Sequence, residues 1–309
     1  MLSSSSRRMP RVRAAALLAV VALVAVGCLG QPATQQSPTP RADTFPVTLT
    51  DDDGVNVTLD KLPRRIVTFA PSNTEIVFAL GLDEELVGVA GSFDNYPAEA
   101  KAVEHVAGPS GVDPNVEKVV SLHPDLLLAI AGGDQWKERL RDLHINVFTI
   151  NATNFPDLLH DIQTVGRLTG RADQADTLTR DMERKAAAVK VQQRTPCFFE
   201  AFYPPLTTVG PNTFIFDILR RGGCDPASAG AKDDYPQWSV DQLVRDDPPV
   251  YLVASESGVS AAAVGRRPGF GSLSAVQRHR VILVNSDLIS RPGPRVVQGL
   301  EAVARAVAG

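Results

Sequence analysis

The chain has 309 residues, a net charge of −4 and 21% charged side chains. No long basic run follows Arg13, so the electrostatic footprint that nucleic-acid phosphates require is missing and no nucleic-acid partner is expected. Residues 45–309 are long for one compact core and suit two lobes.

The amino terminus has the features of an export signal. Four arginines precede an uncharged apolar run over residues 14–27, which is too short to span a bilayer comfortably and matches the hydrophobic region of a secretory signal. Gly27 directly before Cys28 is similar to a bacterial lipobox, so we expect Cys28 to be lipidated. An ordinary cleaved signal and an uncleaved anchor are the alternatives. Arg7-Arg8 leaves both the Sec and the twin-arginine routes open.

Residues 28–44 follow as a polar stretch with prolines at 32, 38 and 40 and no apolar periodicity. This composition predicts a flexible stalk between a lipid anchor and a folded body. The expected location is therefore the outer face of the cell membrane, with contact to the membrane through the lipid.

The first part of the body alternates strand and helix signals. Residues 47–49 and 55–59 predict a hairpin that turns at Asp53-Gly54. Ser72 with Glu75 three residues later predicts a capping box that opens a helix, which Gly81 ends. Strands are predicted over residues 66–70, 86–90, 126–129 and 147–150, and further helices over 115–122 and 135–143. This rhythm favours a mostly parallel sheet covered by helices.

Residues 155–193 are strongly helical with one interruption near Gly170. The segment 172–191 contains no Gly or Pro and predicts one long helix. Strand signals then resume over residues 197–201, 250–254 and 281–284, and helix signals over 214–221, 240–245 and 295–307. The sequence therefore predicts an α/β fold of two Rossmann-like lobes, 45–168 and 195–309, joined by a linking helix within 169–194. Two independent domains are the alternative, and a ligand of the two-lobed form would lie in the interlobe cleft.

The body contains two cysteines, Cys197 and Cys224. An oxidising compartment would permit a disulfide between them, but two buried thiols fit the sequence equally well.

Signs of enzymatic chemistry are missing from the sequence. It has no G-x-S-x-G elbow, P-loop or dinucleotide fingerprint. The five histidines, at positions 105, 123, 144, 160 and 279, show no close metal-ligand spacing. Asp51-Asp52-Asp53-Gly54 lacks the alternate spacing and distal Glu of a calcium loop. We therefore expect neither catalytic residues, nor a cofactor, nor a metal site.

Several segments resemble the vitamin B12 and iron-siderophore binding proteins of ABC importers, in order and at family spacing. In the first lobe they are residues 65–75, 95–100 and 115–126, the second of which is similar to the cobalamin branch. In the second lobe they are Pro204-Pro205-Leu206 with Gly210, Gly222-Gly223 and residues 235–239. The resemblance implies two α/β lobes bridged by a rigid helix, and it favours a corrinoid ligand.

The resemblance also implies functional residues. Glu117 in the first lobe and Asp241 in the second would dock onto arginines of the permease, giving orientation and association rate more than affinity. The ligand-contacting positions that it suggests are Phe93, Tyr96, Phe202, Tyr203, Tyr235 and Asp287.

The chain departs from the cobalamin binders where those carry tryptophans, since it has Ser110, Ile130-Ala131 and Leu288 instead. A ferric siderophore or haem is the alternative ligand, and four arginines would assist an anionic ligand: Arg266, Arg267, Arg291 and Arg295. The expected partners are the permease and its ATPase, and the chain is expected to be a monomer. A receptor or sensor module with this fold and a secreted enzyme are the other classes considered.

Overall fold

The computed structural model describes residues 45–108, 111 and 113–309. The predicted export signal, Cys28, the predicted stalk and Ser110 lie outside the described residues. Among the residues that are described, no helix combines the length and apolarity needed to cross a membrane.

A hairpin opens the described chain. Strands β1 (Val47–Thr50) and β2 (Asn56–Leu59) pair antiparallel, as predicted. The Asp51 carboxylate accepts hydrogen bonds from the backbone N–H groups of Asp53 and Val55 at 3.1 and 2.7 Å. Lys137 Nζ lies 2.7 Å from Asp53 Oδ2, and Arg141 pairs with Asp51. The aspartates of this turn therefore bind the hairpin to the rest of the first lobe through ion pairs.

The first lobe has a four-stranded parallel sheet in the order β4-β3-β5-β6. Its strands are β3 (Ile66–Thr68), β4 (Leu86–Gly88), β5 (Leu126–Ala129) and β6 (Val147–Thr149). Its helices are α1 (Pro71–Ala79), α2 (Val116–Ser121), α3 (Asp134–Asp142) and α4 (Phe155–Leu168). The two central strands are fully buried, as expected for a sheet covered on both faces.

The predicted capping box at the start of α1 is wrong. The helix begins at Pro71, Ala70 is the N-cap, and no side chain caps it. Proline suits this position because it lacks the N–H that a cap would satisfy. The Glu75 carboxylate binds Arg295 of the second lobe instead.

Helix α5 (Ala172–Ala188) connects the lobes and is about 25 Å long at 1.5 Å per residue. It is three residues shorter than the predicted segment 172–191 at its carboxyl end. Its buried residues Ala175, Thr179 and Met182 follow helical spacing and form one face. The helix packs against α4 of the first lobe and α11 of the second.

The second lobe has a four-stranded parallel sheet in the order β10-β9-β7-β8. Its strands are β7 (Thr195–Glu200), β8 (Cys224–Pro226), β9 (Val250–Ala254) and β10 (Val281–Val284). Its helices are α6 (Phe214–Arg221), α7 (Val240–Asp246), α8 (Ala261–Gly265), α9 (Ser274–Gln277), α10 (Asp287–Ser290) and α11 (Val296–Ala308). The prediction of two parallel-sheet α/β lobes is confirmed.

Cys197 and Cys224 form a disulfide between the neighbouring strands β7 and β8, with Cα atoms 5.7 Å apart. Because β7 and β8 are neighbours in the sheet, the two cysteines lie within bonding distance. The sequence alone left this pairing open.

Candidate functional site

A cavity of about 660 Å³ lies where the carboxyl ends of the first-lobe strands face the second lobe. Phe69 follows β3, Gly91 and Phe93 follow β4, and Ile130 follows β5, while the second lobe contributes Asp287 and Arg291. Ligands of parallel α/β sheets bind at this end of the strands because the loops there form the crevice. We call this space the upper cavity.

The apolar wall of the upper cavity includes Trp136 and Phe69, whose ring centroids are 5.3 Å apart in an edge-to-face arrangement. Gly133 adopts a left-handed conformation, and a Cβ atom there would lie 2.1 Å from Trp136 Nε1. Only glycine at position 133 therefore leaves room for the Trp136 indole where it lies. Phe93 adds a third aromatic ring that is 74% exposed.

A second cavity of about 520 Å³, the lower cavity, adjoins the first and shares Ala70, Pro71, Ile130, Ala131 and Arg291 with it. Its wall is more polar. It adds Asn73 and Asp161 of the first lobe and Thr213 and Tyr235 of the second. The cleft thus offers an aromatic part and a hydrogen-bonding part in two adjoining cavities.

Among the described residues that line the cleft, carboxyl groups outnumber basic groups. Asp94, Asp113 and Asp287 line the upper cavity, and Asp161 and Asp234 line the lower one. Arg291 lines both. Its charge is already balanced within the protein, since Nη2 lies 2.8 Å from Asp287 Oδ1 and Nη1 lies 3.7 Å from Glu75 Oε1.

The remaining arginines from the sequence prediction face other groups. Arg295 is paired with Glu75 and stacks on Tyr96, with Cζ 3.9 Å from the ring centroid. Arg267 donates two hydrogen bonds to Glu200, at 2.5 and 3.1 Å. Arg266 is exposed and lines neither cavity.

Burial raises the pKa of two cleft carboxyls. The pKa of Asp94 is raised because the side chain is desolvated, although hydrogen bonds from Thr74 Oγ1 and the Gly91 N–H partly oppose the shift. The pKa of Asp161 is raised to about 8 by burial first and then by the neighbouring charges of Asp52 and Asp157.

The predicted ligand contacts separate into three groups. Phe93 and Asp287 line the upper cavity, and Tyr235 lines the lower one. Tyr96 lies beside Arg295 in a separate recess, Phe202 is 58% exposed, and Tyr203 packs against Arg267. The structure brings only the first three to the cleft cavities.

The predicted docking residues occupy equivalent positions in the two lobes. Glu117 and Asp241 are exposed and lie in the first turns of α2 and α7. The side chains of Asn115 and Ser239 cap these helices, each accepting a backbone hydrogen bond at 3.0 Å. Within the described part of the chain, neither carboxylate has an ion-pair partner.

The sequence reasoning missed Trp136, Asp94 and Asp161. A signal for Trp136 was available, because Gly132-Gly133 lies in the loop after strand β5, at the edge where ligands bind. Asp161 has no such signal, since it lies in the middle of a helix. Across residues 45–108, 111 and 113–309, no group of three or more His, Cys, Asp or Glu is arranged to hold a metal ion.

Comparison with known proteins agrees with this architecture. The family model described as periplasmic binding protein matches residues 66–288. A protein of Bacillus subtilis (strain 168), named as an uncharacterized ABC transporter substrate-binding lipoprotein, YvrC, is 36% identical and covers 95% of each chain. A Halobacterium salinarum (strain ATCC 29341 / DSM 671 / R1) cobalamin-binding protein is 33% identical over 94% of this chain and 82% of its own.

Among solved structures, that of an ABC-type Fe3+-hydroxamate transport system from Saccharomonospora viridis DSM 43017 has a TM-score of 0.72. It is 26% identical and covers 86% of this chain and 100% of that chain. Two of these three names state an ABC transport role, and the two that state a ligand differ, cobalamin in one and an Fe3+-hydroxamate in the other.

Proposed function

The chain belongs to the periplasmic binding protein family, and we propose that it is the lipid-anchored solute-binding protein of an ABC importer that delivers a corrinoid to its permease. Cys28 carries the lipid and residues 28–44 form the stalk in this proposal. The body then binds cargo in the interlobe cleft without changing it chemically.

The charge of the cleft is the observation that carries the corrinoid assignment. Carboxyl groups line both cavities, and Arg291, which lines both as well, is paired with Asp287 and Glu75. Haem propionates and the anionic groups of many ferric siderophores would be repelled by such a lining. A corrinoid fits better, because the side chains around its ring are mostly uncharged carboxamides.

The shape of the cleft supports the same ligand. Trp136, Phe69 and Phe93 offer apolar surface to a large macrocycle in the upper cavity. The polar wall of the lower cavity then faces hydrogen-bonding substituents at the edge of the ring. Aromatic and polar walls in adjoining spaces are typical of a site that binds an amphipathic ligand.

Delivery would use Glu117 and Asp241. Both are exposed at helix N-termini, one on each lobe. Two negative groups on different lobes define an orientation on a permease that carries complementary arginines.

Ligand-dependent melting of the purified protein tests the ligand class. Cyanocobalamin, haem and a ferric hydroxamate siderophore are compared at equal concentration, and we expect cyanocobalamin to give the largest rise in Tm. Asp287→Asn removes one of the two carboxylate partners of Arg291 and should shift the preference toward haem, whereas Asp225→Asn, which lines neither cavity, should not. Stronger stabilisation of the unaltered protein by haem or by the siderophore would reject the corrinoid.

A further inference from the structure

Asp161 lies on helix α4, and its carboxyl group lines the lower cavity. The residue is 5% exposed, and the backbone N–H of Ala152 is the one hydrogen-bonding group in the described chain that acts on it. One carboxyl group at the edge of a ligand-sized cavity therefore has hydrogen-bonding capacity that the protein leaves unused.

The charged groups around Asp161 do not compensate it. Asp52 from the hairpin turn and Asp157 from α4 are both acidic and disfavour its ionised form. Lys137 and Arg141 pair with Asp53 and Asp51. Other charged or titratable groups on the surrounding elements are engaged elsewhere or lie across the cavity: His160, Asp217, Arg221, Glu75, Asp234 and Arg291. Burial without a counter-ion favours the protonated acid.

Three other donors that line the lower cavity are already used by the protein. Asn73 Nδ2 donates to the Ala129 carbonyl at 3.1 Å, and Thr213 Oγ1 donates to the Gly210 carbonyl at 2.8 Å. Thr153 Oγ1 donates to Asp157 Oδ2 at 2.8 Å. Other polar side chains of this wall, among them Tyr235, remain available to a ligand, and a protonated Asp161 adds a buried donor beside them.

We propose that Asp161 takes part in the ligand complex as a neutral carboxylic acid and donates a hydrogen bond to a carboxamide oxygen of the ligand. This inference rests on the proposed function, because it assigns the peripheral amides of the corrinoid to the lower cavity. It makes Asp161 a specificity residue that accepts uncharged amides and disfavours carboxylates, which would bring a negative charge next to Asp52 and Asp157.

The experiment measures the Kd of cyanocobalamin by calorimetry from pH 6 to pH 9.5 for the unaltered protein, Asp161→Asn and Asp161→Leu. Cyanocobalamin is the probe because its axial cyanide keeps the cobalt centre from titrating in this range. Asp173→Asn, an exposed carboxylate in the first turn of α5, is the matched control. Melting curves at pH 6 establish that each variant is folded.

Affinity of the unaltered protein and the control should fall about tenfold as the pH rises through about 8, the size of one lost hydrogen bond. Asp161→Asn should bind with constant affinity across the range, because the amide donates at every pH. Asp161→Leu should bind about tenfold more weakly already at pH 6.

A pH-independent affinity in the unaltered protein, or the same decline in Asp161→Asn, would overturn the role of Asp161 while leaving corrinoid binding in place. Absence of cyanocobalamin binding at every pH in every form would instead reject the proposed function, and the inference with it.

Discussion

Arg295 of the second lobe holds the Glu75 carboxylate of the first lobe with two hydrogen bonds, Nε to Oε2 at 2.9 Å and Nη2 to Oε1 at 2.5 Å. The Glu75 side chain is only 2% exposed and that of Arg295 15% exposed. Arg291 approaches the same carboxylate, and Tyr96 covers the Arg295 guanidinium. This cluster joins the lobes directly, in addition to the connection through α5.

Replacing one partner of this buried pair should be costly. Glu75→Gln leaves two arginines next to a neutral amide, and we expect a loss of about 3 kcal/mol in the free energy of unfolding, measured by urea denaturation. Glu301→Gln removes an exposed partner of Arg305 and should cost less than about 0.5 kcal/mol. Equal losses in the two variants would show that the interlobe pair stabilises the fold no more than an exposed ion pair does.

The raised pKa of Asp161 predicts a pH-dependent stability. The carboxyl keeps its proton in the folded chain up to about pH 8, whereas the unfolded chain loses it near the ordinary value of 3.8. The contribution of Asp161 to the free energy of unfolding is therefore fully present below pH 3.8 and is lost as the pH rises to about 8. Asp161→Asn removes the titration, so its stability relative to the unaltered protein should increase across this window, by an amount on the order of a few kcal/mol.

Urea denaturation at pH 5 and pH 8.5 measures this effect, with Asp173→Asn as the control that should follow the unaltered protein. A constant difference between Asp161→Asn and the unaltered protein at the two pH values would mean that Asp161 titrates normally.

The glycines after β5 predict a specific effect on the aromatic wall. Gly133→Ala places a Cβ atom against the Trp136 indole, so the ring must move, and we expect cyanocobalamin affinity to fall about tenfold. Gly132→Ala imposes a similar left-handed backbone strain, but its Cβ would meet no atom within 4 Å. Fluorescence titration of both variants separates loss of the indole position from general strain. Equal affinities in the two variants would exclude the indole from the ligand site.

The docking assignment predicts a defect in transport without a defect in binding. Charge reversal at both positions, Glu117→Arg with Asp241→Arg, should reduce corrinoid uptake by cells on the order of tenfold, because two like charges then face the permease arginines. Affinity for cyanocobalamin should be unchanged, since neither residue lines the cavities. Glu138→Arg reverses another exposed charge, on α3, and is the control. Normal uptake by the double variant would disprove the assignment.

Local patterns in the sequence determined the elements of this fold. The predicted strands 126–129, 250–254 and 281–284 and the helix 214–221 agree with the structure in both bounds. Buried parallel strands are short apolar runs and the helices are bounded by caps and glycines, so neighbouring residues carry enough information to identify them. The order of these elements then limits the topology to two parallel sheets.

Tertiary structure alone decided which side chains meet. Glu75 has the spacing of a helix cap, yet it binds Arg295, 220 residues away along the chain. Tyr96 and Phe93 are equally plausible ligand contacts by sequence, but Tyr96 covers an arginine while Phe93 faces the cavity. The ionisation of Asp161 depends on burial and on Asp52 from the hairpin. These properties arise from groups that are distant in the chain and close in space, which no local pattern records.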